Sequence, residues 1–312
     1  MSHIREFFKD RLFSDESIDI MCASWRPSTI KQYEIYFKKW LDFCGRRQTN
    51  PLLFDEVLAV EFLTVLFQSG IGYSAINSAR SAISTLLINN PGLSIGNSPA
   101  VKRFLKGVYE IRPPSPKYKV IWDVDIVLQF LKNFHPNEEL PLSYLTYECV
   151  TLVALFSMQR VQTLQAIKVA DIIFSENLVV VPIKSTLKQS NPRRNDFMLT
   201  LKSYPSDPAI CVLSTLKAYV NRTKQIRTKS SLFISFQKPY LPVSKATISR
   251  WIKRVLEEAG IDVSFFTAHS TRAASSSAAK RDDLSIDEIL KTAGWTNNVM
   301  FKKFYDKIIM ES

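Results

Sequence analysis

Apolar positions recur at helical spacing through the first third of the chain. In STIKQYEIYFKKWLDFC, Ile30, Tyr33, Phe37, Trp40, Leu41 and Cys44 fall on one face, and Ser28 or Thr29 can cap its start. Comparable patterns predict helices near 14–25, 28–46, 55–69, 72–89 and 97–109, with Asn50-Pro51 and the Asn-Asn-Pro-Gly run at 89–92 as punctuation. The expectation is a compact helical bundle over residues 1–112. In the stretch IRPPSPKYKVIWDVD, three prolines within four residues stop any helix and favour an extended connection, so a proline-rich linker is expected over 113–121.

Helical periodicity resumes near 123–134, 143–157 and 161–167. The pattern then changes. Val179 to Ile183 form a β-branched run, a polar turn rich in Asn, Pro and Arg follows, and Phe197 to Leu201 form a second short run, which together predict a hairpin with a basic tip. Helices are expected again at 209–222, 244–259, 272–281, 284–292 and 297–309. The second domain, 122–312, is therefore mainly α with a small β-hairpin or sheet.

At 312 residues, nearly half of them apolar, the chain can bury two cores. No repeat, long apolar run or signal-peptide pattern appears, which leads to the expectation of a soluble intracellular protein without membrane association. The formal charge of +12 points to a polyanionic partner, nucleic acid above all. Residues up to 115 carry 14 Lys and Arg against 11 Asp and Glu, and those beyond carry 27 against 18, so the surplus sits mainly in the second half. Cys22, Cys44, Cys149 and Cys211 lack CxxC spacing and read as buried reduced thiols, and no zinc constellation can be assembled from them with His3 and His135.

The candidate chemistry begins with HSTRAASSSAA, residues 269–279. With a helix starting near Ser270, His269 and Arg272 fall on its first turn, close to free backbone amides and the positive end of the dipole. This is an anion site in one reading and a capping histidine beside an ion-paired arginine in the other. Arg160 lies in the apolar stretch VALFSMQRVQTL, where an arginine must be paired or functional. Lys188, Arg193 and Arg194 crowd the expected hairpin tip and Lys184 ends the β run before it, a charged turn that solvent alone could explain and in which Lys184, Arg193 and Arg194 are candidates for contacting DNA. Arg250, Lys253 and Arg254 form one side of the helix expected at 244–259, suited either to DNA or to solvent. Met300, Phe301, Phe304, Tyr305 and Ile308 make an apolar stripe at helical spacing, by which Tyr305 alone reads as a packed tyrosine.

Taken together, Arg160, Lys188, the His-Ser-Thr-Arg run at 269–272, Trp295 and Tyr305 resemble the signature of the tyrosine recombinase (phage integrase) family. FSMQRVQTL, the Leu-Lys-Gln-Ser turn, RPPSPKY and the ten-residue step from Trp295 to Tyr305 are similar to the DIRS- and Crypton-like branch carried by eukaryotic mobile elements.

The resemblance implies an N-terminal helical core-binding (SAM-like) domain and a C-terminal catalytic domain that clamp double-stranded DNA. It further implies a recombinase or integrase working through a 3′-phosphotyrosine, as a dimer or tetramer on DNA, in the nucleus if the host is eukaryotic. Arg160 and Arg272 would stabilise the phosphorane charge and Lys188 would protonate the leaving 5′ oxygen. His269 would take the tyrosine proton, Trp295 would support the site and Tyr305 would attack. Because the phosphotyrosine conserves the energy of the ester, the implied reaction calls for no cofactor and no metal.

At Thr163 many members carry a carboxylate, and a hydroxyl cannot balance two arginines. A domesticated relative that only binds DNA, and a type IB topoisomerase, are the competing expectations. The complete catalytic set argues against the first, and the compact helical N-terminal half against the second.

Overall fold

A computed structural model describes residues 2–10, 12–53, 55–86, 94–184, 197–295 and 298–310. The chain divides into two units, Met1–Ser115 and Pro116–Ser312. No helix among the described residues is long and apolar enough to cross a membrane.

The first unit is helical throughout: α1 (Ser2–Lys9), α2 (Asp15–Ala23), α3 (Pro27–Arg46), α4 (Glu56–Gln68), α5 (Tyr73–Leu86) and α6 (Pro99–Ile111). Side-chain caps fix three of the starts. Ser14 accepts from Ser17 N, Asp55 from Leu58 N and Ser98 from Val101 N. The start of α3 differs from expectation, because Pro27 occupies its first turn and Arg26 stands at the N-cap, where its side chain makes no capping bond, so neither Ser28 nor Thr29 caps. Phe37, Trp40, Phe62, Ile76 and Ile83 are fully enclosed in the core, where the Trp40 indole donates to Pro51 O at 3.0 Å. Helix α1 lies ahead of the first helix expected from periodicity, at 14–25.

The second unit contains β1 (Val120–Ile121), α7 (Val124–Lys132), α8 (Leu142–Ser157), α9 (Val161–Ala166), β2 (Ile173–Phe174), β3 (Leu178–Ile183), β4 (Phe197–Lys202) and α10 (Val212–Thr223). These are followed by α11 (Lys245–Glu258), α12 (Ser270–Arg281), α13 (Ile286–Ala293), α14 (Asn298–Phe304) and β5 (Ile308–Ile309). Helix α8 runs through the middle of this unit and packs against α10, α11 and α12. It is buried on nearly every side, through Leu145, Val150, Leu152, Val153 and Leu155 together with the enclosed Thr146, Glu148 and Thr151. The stretch expected as a linker does not stay outside the fold: Tyr118 and Ile121 join the second core, and the Tyr118 hydroxyl meets that of Thr267 at 3.0 Å.

The expected hairpin is the larger part of a three-stranded antiparallel sheet in the order β2-β3-β4, with Val179 opposite Leu201 and Val181 opposite Leu199. Its tip, 185–196, lies outside the described residues, and with it Lys188, Arg193 and Arg194. The helix expected over 297–309 requires correction. α14 ends at Phe304, and Ile308–Ile309 leave it as a strand parallel to β1, with Val120 opposite Ile308. Only part of the apolar stripe that suggested a continuous helix is packed: Phe301 is fully buried, whereas Phe304 is 38% and Ile308 75% exposed. All four cysteines are buried free thiols.

Candidate active site

Small side chains allow α12 to run through the core. Ser270 to Ala278 are all buried, and most of the hydroxyls that this encloses bond nearby groups: Thr271 donates to Ala268 O, Ser276 to Arg272 O, and Ser270 to Thr267 O while accepting from the Trp122 indole at 2.8 Å, whereas the Ser275 hydroxyl has no hydrogen-bond partner. Among these small residues stands Arg272, 1% exposed. Its guanidinium donates from Nη2 to Ala293 O at 2.8 Å and lies 4.4 Å from the centre of the Trp295 ring and 5.4 Å from that of Tyr305. Nε and Nη1 have no hydrogen-bond partner. Leaving two donors unsatisfied in the interior costs about 1–3 kcal/mol each, and a bound anion would recover it.

Burial pushes the Arg272 guanidinium down to about 9, and the like charge of Arg160 adds to this while Tyr305 opposes it. The group therefore remains a cation at neutral pH. What faces it is a set of dipoles and π faces. Ala293 is the last residue of α13, and Gly294 ends that helix at φ 70°, in the left-handed region that glycine tolerates. The negative end of the α13 dipole and the ring faces of Trp295 and Tyr305 are thus turned toward the cation.

Arg160 is brought to the site by a tight reversal. Met158 takes a left-handed conformation, φ 53°, at the end of α8, and Arg160 opens α9 with extended angles. Thr163, one turn on, is buried and donates to Gln159 Oε1 at 3.3 Å, while Gln159 Nε2 donates to Thr292 O at 2.7 Å. Neutral groups therefore tie α9 to the end of α13. Nothing in the sequence marks Gln159 for this task, since an amide beside an arginine carries no signal of its own.

His269 stands at the start of α12 with helical angles; it is exposed and its side chain does not cap the helix, so the capping reading is set aside. Trp295, half-buried, packs on Phe301 and lies 4.5 Å, centre to centre, from the Tyr305 ring. Tyr305 is the first residue beyond α14, its amide still bonded to Phe301 O at 2.8 Å. Arg272, Trp295 and Tyr305 are in direct contact, and Arg160 is within electrostatic reach. Among the described residues no group of His, Cys, Asp or Glu could hold a metal ion.

The remaining basic candidates are surface groups with different attachments. Lys184 pairs with Asp171 at 2.6 Å. Arg250 donates to Thr247, and Lys253 is exposed. Arg254 is committed locally, to Glu258 at 2.7 Å and over the Tyr147 ring at 5.1 Å. In the first unit, Arg80, Lys102 and Lys106 share a cleft of about 570 Å³ with Tyr73, Asn77 and Tyr109, a basic surface that the helical periodicity alone did not reveal.

Residues 125–309 match the profile of the phage integrase family. No curated protein sequence matches the chain. Among solved structures it is similar to XerH site-specific recombinase bound to palindromic difH substrate in a post-cleavage complex, with 15% identity over 90% of this chain and 77% of that one and a TM-score of 0.62. It is also similar to the Tn1549 transposon integrase in complex with transposon right-end DNA, with 13% identity over 80% of each chain and a TM-score of 0.57. A lambda integrase dimer bound to a COC′ core site aligns with 15% identity over 94% of this chain and 75% of that one, at 0.55. Likeness at such identities is likeness of fold, but the profile match covers more than half of the sequence: the chain belongs to the phage integrase (tyrosine recombinase) family.

Proposed function

We propose that the protein is a site-specific DNA recombinase that cuts and rejoins duplex DNA through a 3′-phosphotyrosine at Tyr305, and that it serves the integration of a mobile element of the DIRS and Crypton type. The observation that carries this is Arg272, a buried cation with two unpartnered donors, in contact with a tyrosine and within reach of a second arginine. A phosphodiester is an anion whose paired oxygens suit the planar donor geometry of a guanidinium.

In this reading the Tyr305 oxygen attacks phosphorus as its proton passes to His269. Arg160 and Arg272 hold the non-bridging oxygens, where charge accumulates. The bond from phosphorus to the 5′ oxygen breaks, and that oxygen takes a proton from Lys188. Rejoining reverses each transfer, with an incoming 5′ hydroxyl attacking the phosphotyrosine. Trp295 holds the tyrosine and the arginine in register through its ring. The first unit, through the cleft around Arg80, Lys102 and Lys106, and α11, through Arg250 and Lys253, supply phosphate contacts along the duplex. Work as a dimer or tetramer on DNA, and residence in the nucleus of a eukaryotic host, belong to the same proposal.

The test uses nicked duplexes carrying candidate element termini, taken from the DNA that flanks the chain's own coding region. The nick lets the short cut strand diffuse away, so the covalent intermediate accumulates. A protein–DNA adduct that survives denaturation supports the reading, and tight binding of the same duplexes without any adduct contradicts it.

A further inference from the structure

The backbone that carries Tyr305 is fastened on both sides by one side chain. Ser277 Oγ donates to Tyr305 O at 2.7 Å and accepts from Lys307 N at 3.0 Å, so a single hydroxyl bridges the peptide groups that flank Asp306. Ser277 is 4% exposed. A serine inside a helix ordinarily returns its proton to a carbonyl of the preceding turn, as the neighbouring Ser276 does with Arg272 O at 2.8 Å. Ser277 instead directs both of its bonds away from α12, to a segment 28 residues further along the chain.

The segment needs such a partner. Helix α14 stops at Phe304, which leaves the Tyr305 carbonyl among those that a helix terminus cannot satisfy internally. Beyond Ser277, Lys280 Nζ pairs with Asp306 at 2.6 Å, and Met310 N donates to Ile121 O at 2.8 Å as β5 joins β1. Arg272 lies on the same rigid α12 as Ser277 and Lys280. The helix that presents the guanidinium therefore also sets the position of the tyrosine backbone relative to it.

We infer that Ser277, assisted by Lys280, is a positioning residue for the Tyr305 nucleophile. This rests on the proposed role of Tyr305. Ser277 touches neither the reacting atoms nor the DNA in this account; it acts by holding the Tyr305 oxygen at attack distance while Arg272 holds the phosphate. Loss of the hydroxyl leaves two backbone groups without their bond and frees the chain to pivot after Phe304.

Single-turnover adduct formation on a saturating nicked duplex that the wild type cleaves tests the inference, with affinity for the uncut duplex measured alongside. Ser277→Ala is expected to slow adduct formation about 10- to 100-fold, the penalty for misplacing a reacting group by an ångström, with affinity close to wild type. Ser277→Thr keeps the hydroxyl and is expected to recover most of the rate. On a strand whose bridging 5′ oxygen is replaced by sulfur, Ser277→Ala stays slow, because a better leaving group does not correct a misplaced nucleophile. Lys280 is exposed enough to be changed without endangering the fold, and Lys280→Ala is expected to slow the same step about 2- to 5-fold, as loss of an exposed ion pair would. Wild-type rates in Ser277→Ala and Lys280→Ala, or a Ser277→Thr variant as slow as Ser277→Ala, would overturn the inference while leaving Tyr305 as nucleophile. A wild type that binds DNA but forms no adduct fails the functional reading itself, and the inference with it.

Discussion

The Arg272 guanidinium lies 4.4 Å from the centre of the Trp295 ring, and the same ring lies 4.5 Å from that of Tyr305. One indole thus spans the cation and the tyrosine, the two groups that must reach a phosphate together. Trp295→Ala removes both contacts, and cleavage is expected to fall about 10-fold, in line with 1–2 kcal/mol for a desolvated cation–π contact. Trp295→Phe keeps a ring and is expected to fall in between. Single-turnover rates on saturating DNA give the comparison, and equal rates for all three proteins would leave the indole without a part in the chemistry.

Arg272 and Arg160 differ in what surrounds them but share the phosphate in the proposed mechanism. Replacing either by Lys keeps the charge and loses the planar fork, so cleavage is expected to fall at least about 100-fold with a much smaller change in affinity. The relevant measurement is the single-turnover rate beside the dissociation constant for uncut duplex. Parallel losses in both would assign these arginines to binding alone.

The two hairpin lysines are expected to behave differently. Lys184 is engaged by Asp171 at 2.6 Å, whereas Lys188 belongs to the polar turn assigned the general acid. Lys188→Ala is expected to be severely slow on ordinary DNA and largely rescued when the bridging 5′ oxygen is sulfur, whose departure needs no proton. Lys184→Ala should show little of either effect. The reverse pattern would move the acid to Lys184.

Much of the helical framework is legible from periodicity and caps: the pattern over 244–259 corresponds to Lys245–Glu258 with Ser244 as its cap, and that over 143–157 to Leu142–Ser157. The end of helix α14 is not, because Ile308 continues the apolar spacing past Phe304, and only pairing with β1, nearly two hundred residues earlier, converts it to strand. Strand β2 is two residues long and carries no alternation to read. In the site, Arg160 and Arg272 stand out as charges in apolar or small-residue surroundings. Ser277 does not, since nothing distinguishes it from Ser275 and Ser276 until the Tyr305 carbonyl is placed beside it. Local pattern reports which side chains are unusual where they stand; it is silent on ordinary side chains given their task by a distant segment.

A further prediction concerns stability. Glu148, wholly enclosed on α8, accepts from the Thr215 hydroxyl at 3.1 Å, and the Asn137 amide, turned so that its nitrogen faces the carboxyl, donates to it at 3.0 Å. Burial raises this carboxyl to about 8 against the opposing effect of Thr215. A carboxyl raised in the folded state binds its proton more tightly there than in the unfolded chain, so its contribution to stability is full below the ordinary carboxylate range and is lost as pH rises toward the folded value. Glu148→Gln removes this dependence. The variant is expected to match the wild type near about pH 5 and to exceed it by roughly 1–3 kcal/mol near about pH 8.5. Thermal denaturation at the two pH values gives the answer, and a variant less stable than wild type at the higher pH would show that the carboxylate is held ionised.

The central claim is that Tyr305 becomes covalently joined to DNA. The most direct measurement is peptide mapping of the denaturant-resistant adduct formed on a nicked duplex, together with the yield from Tyr305→Phe, which loses one hydroxyl and almost no packing area. The account predicts that the DNA is attached to the peptide containing Tyr305, and that Tyr305→Phe binds the duplex with nearly unchanged affinity while forming no adduct. Attachment at another residue, or an undiminished adduct from Tyr305→Phe, would contradict it.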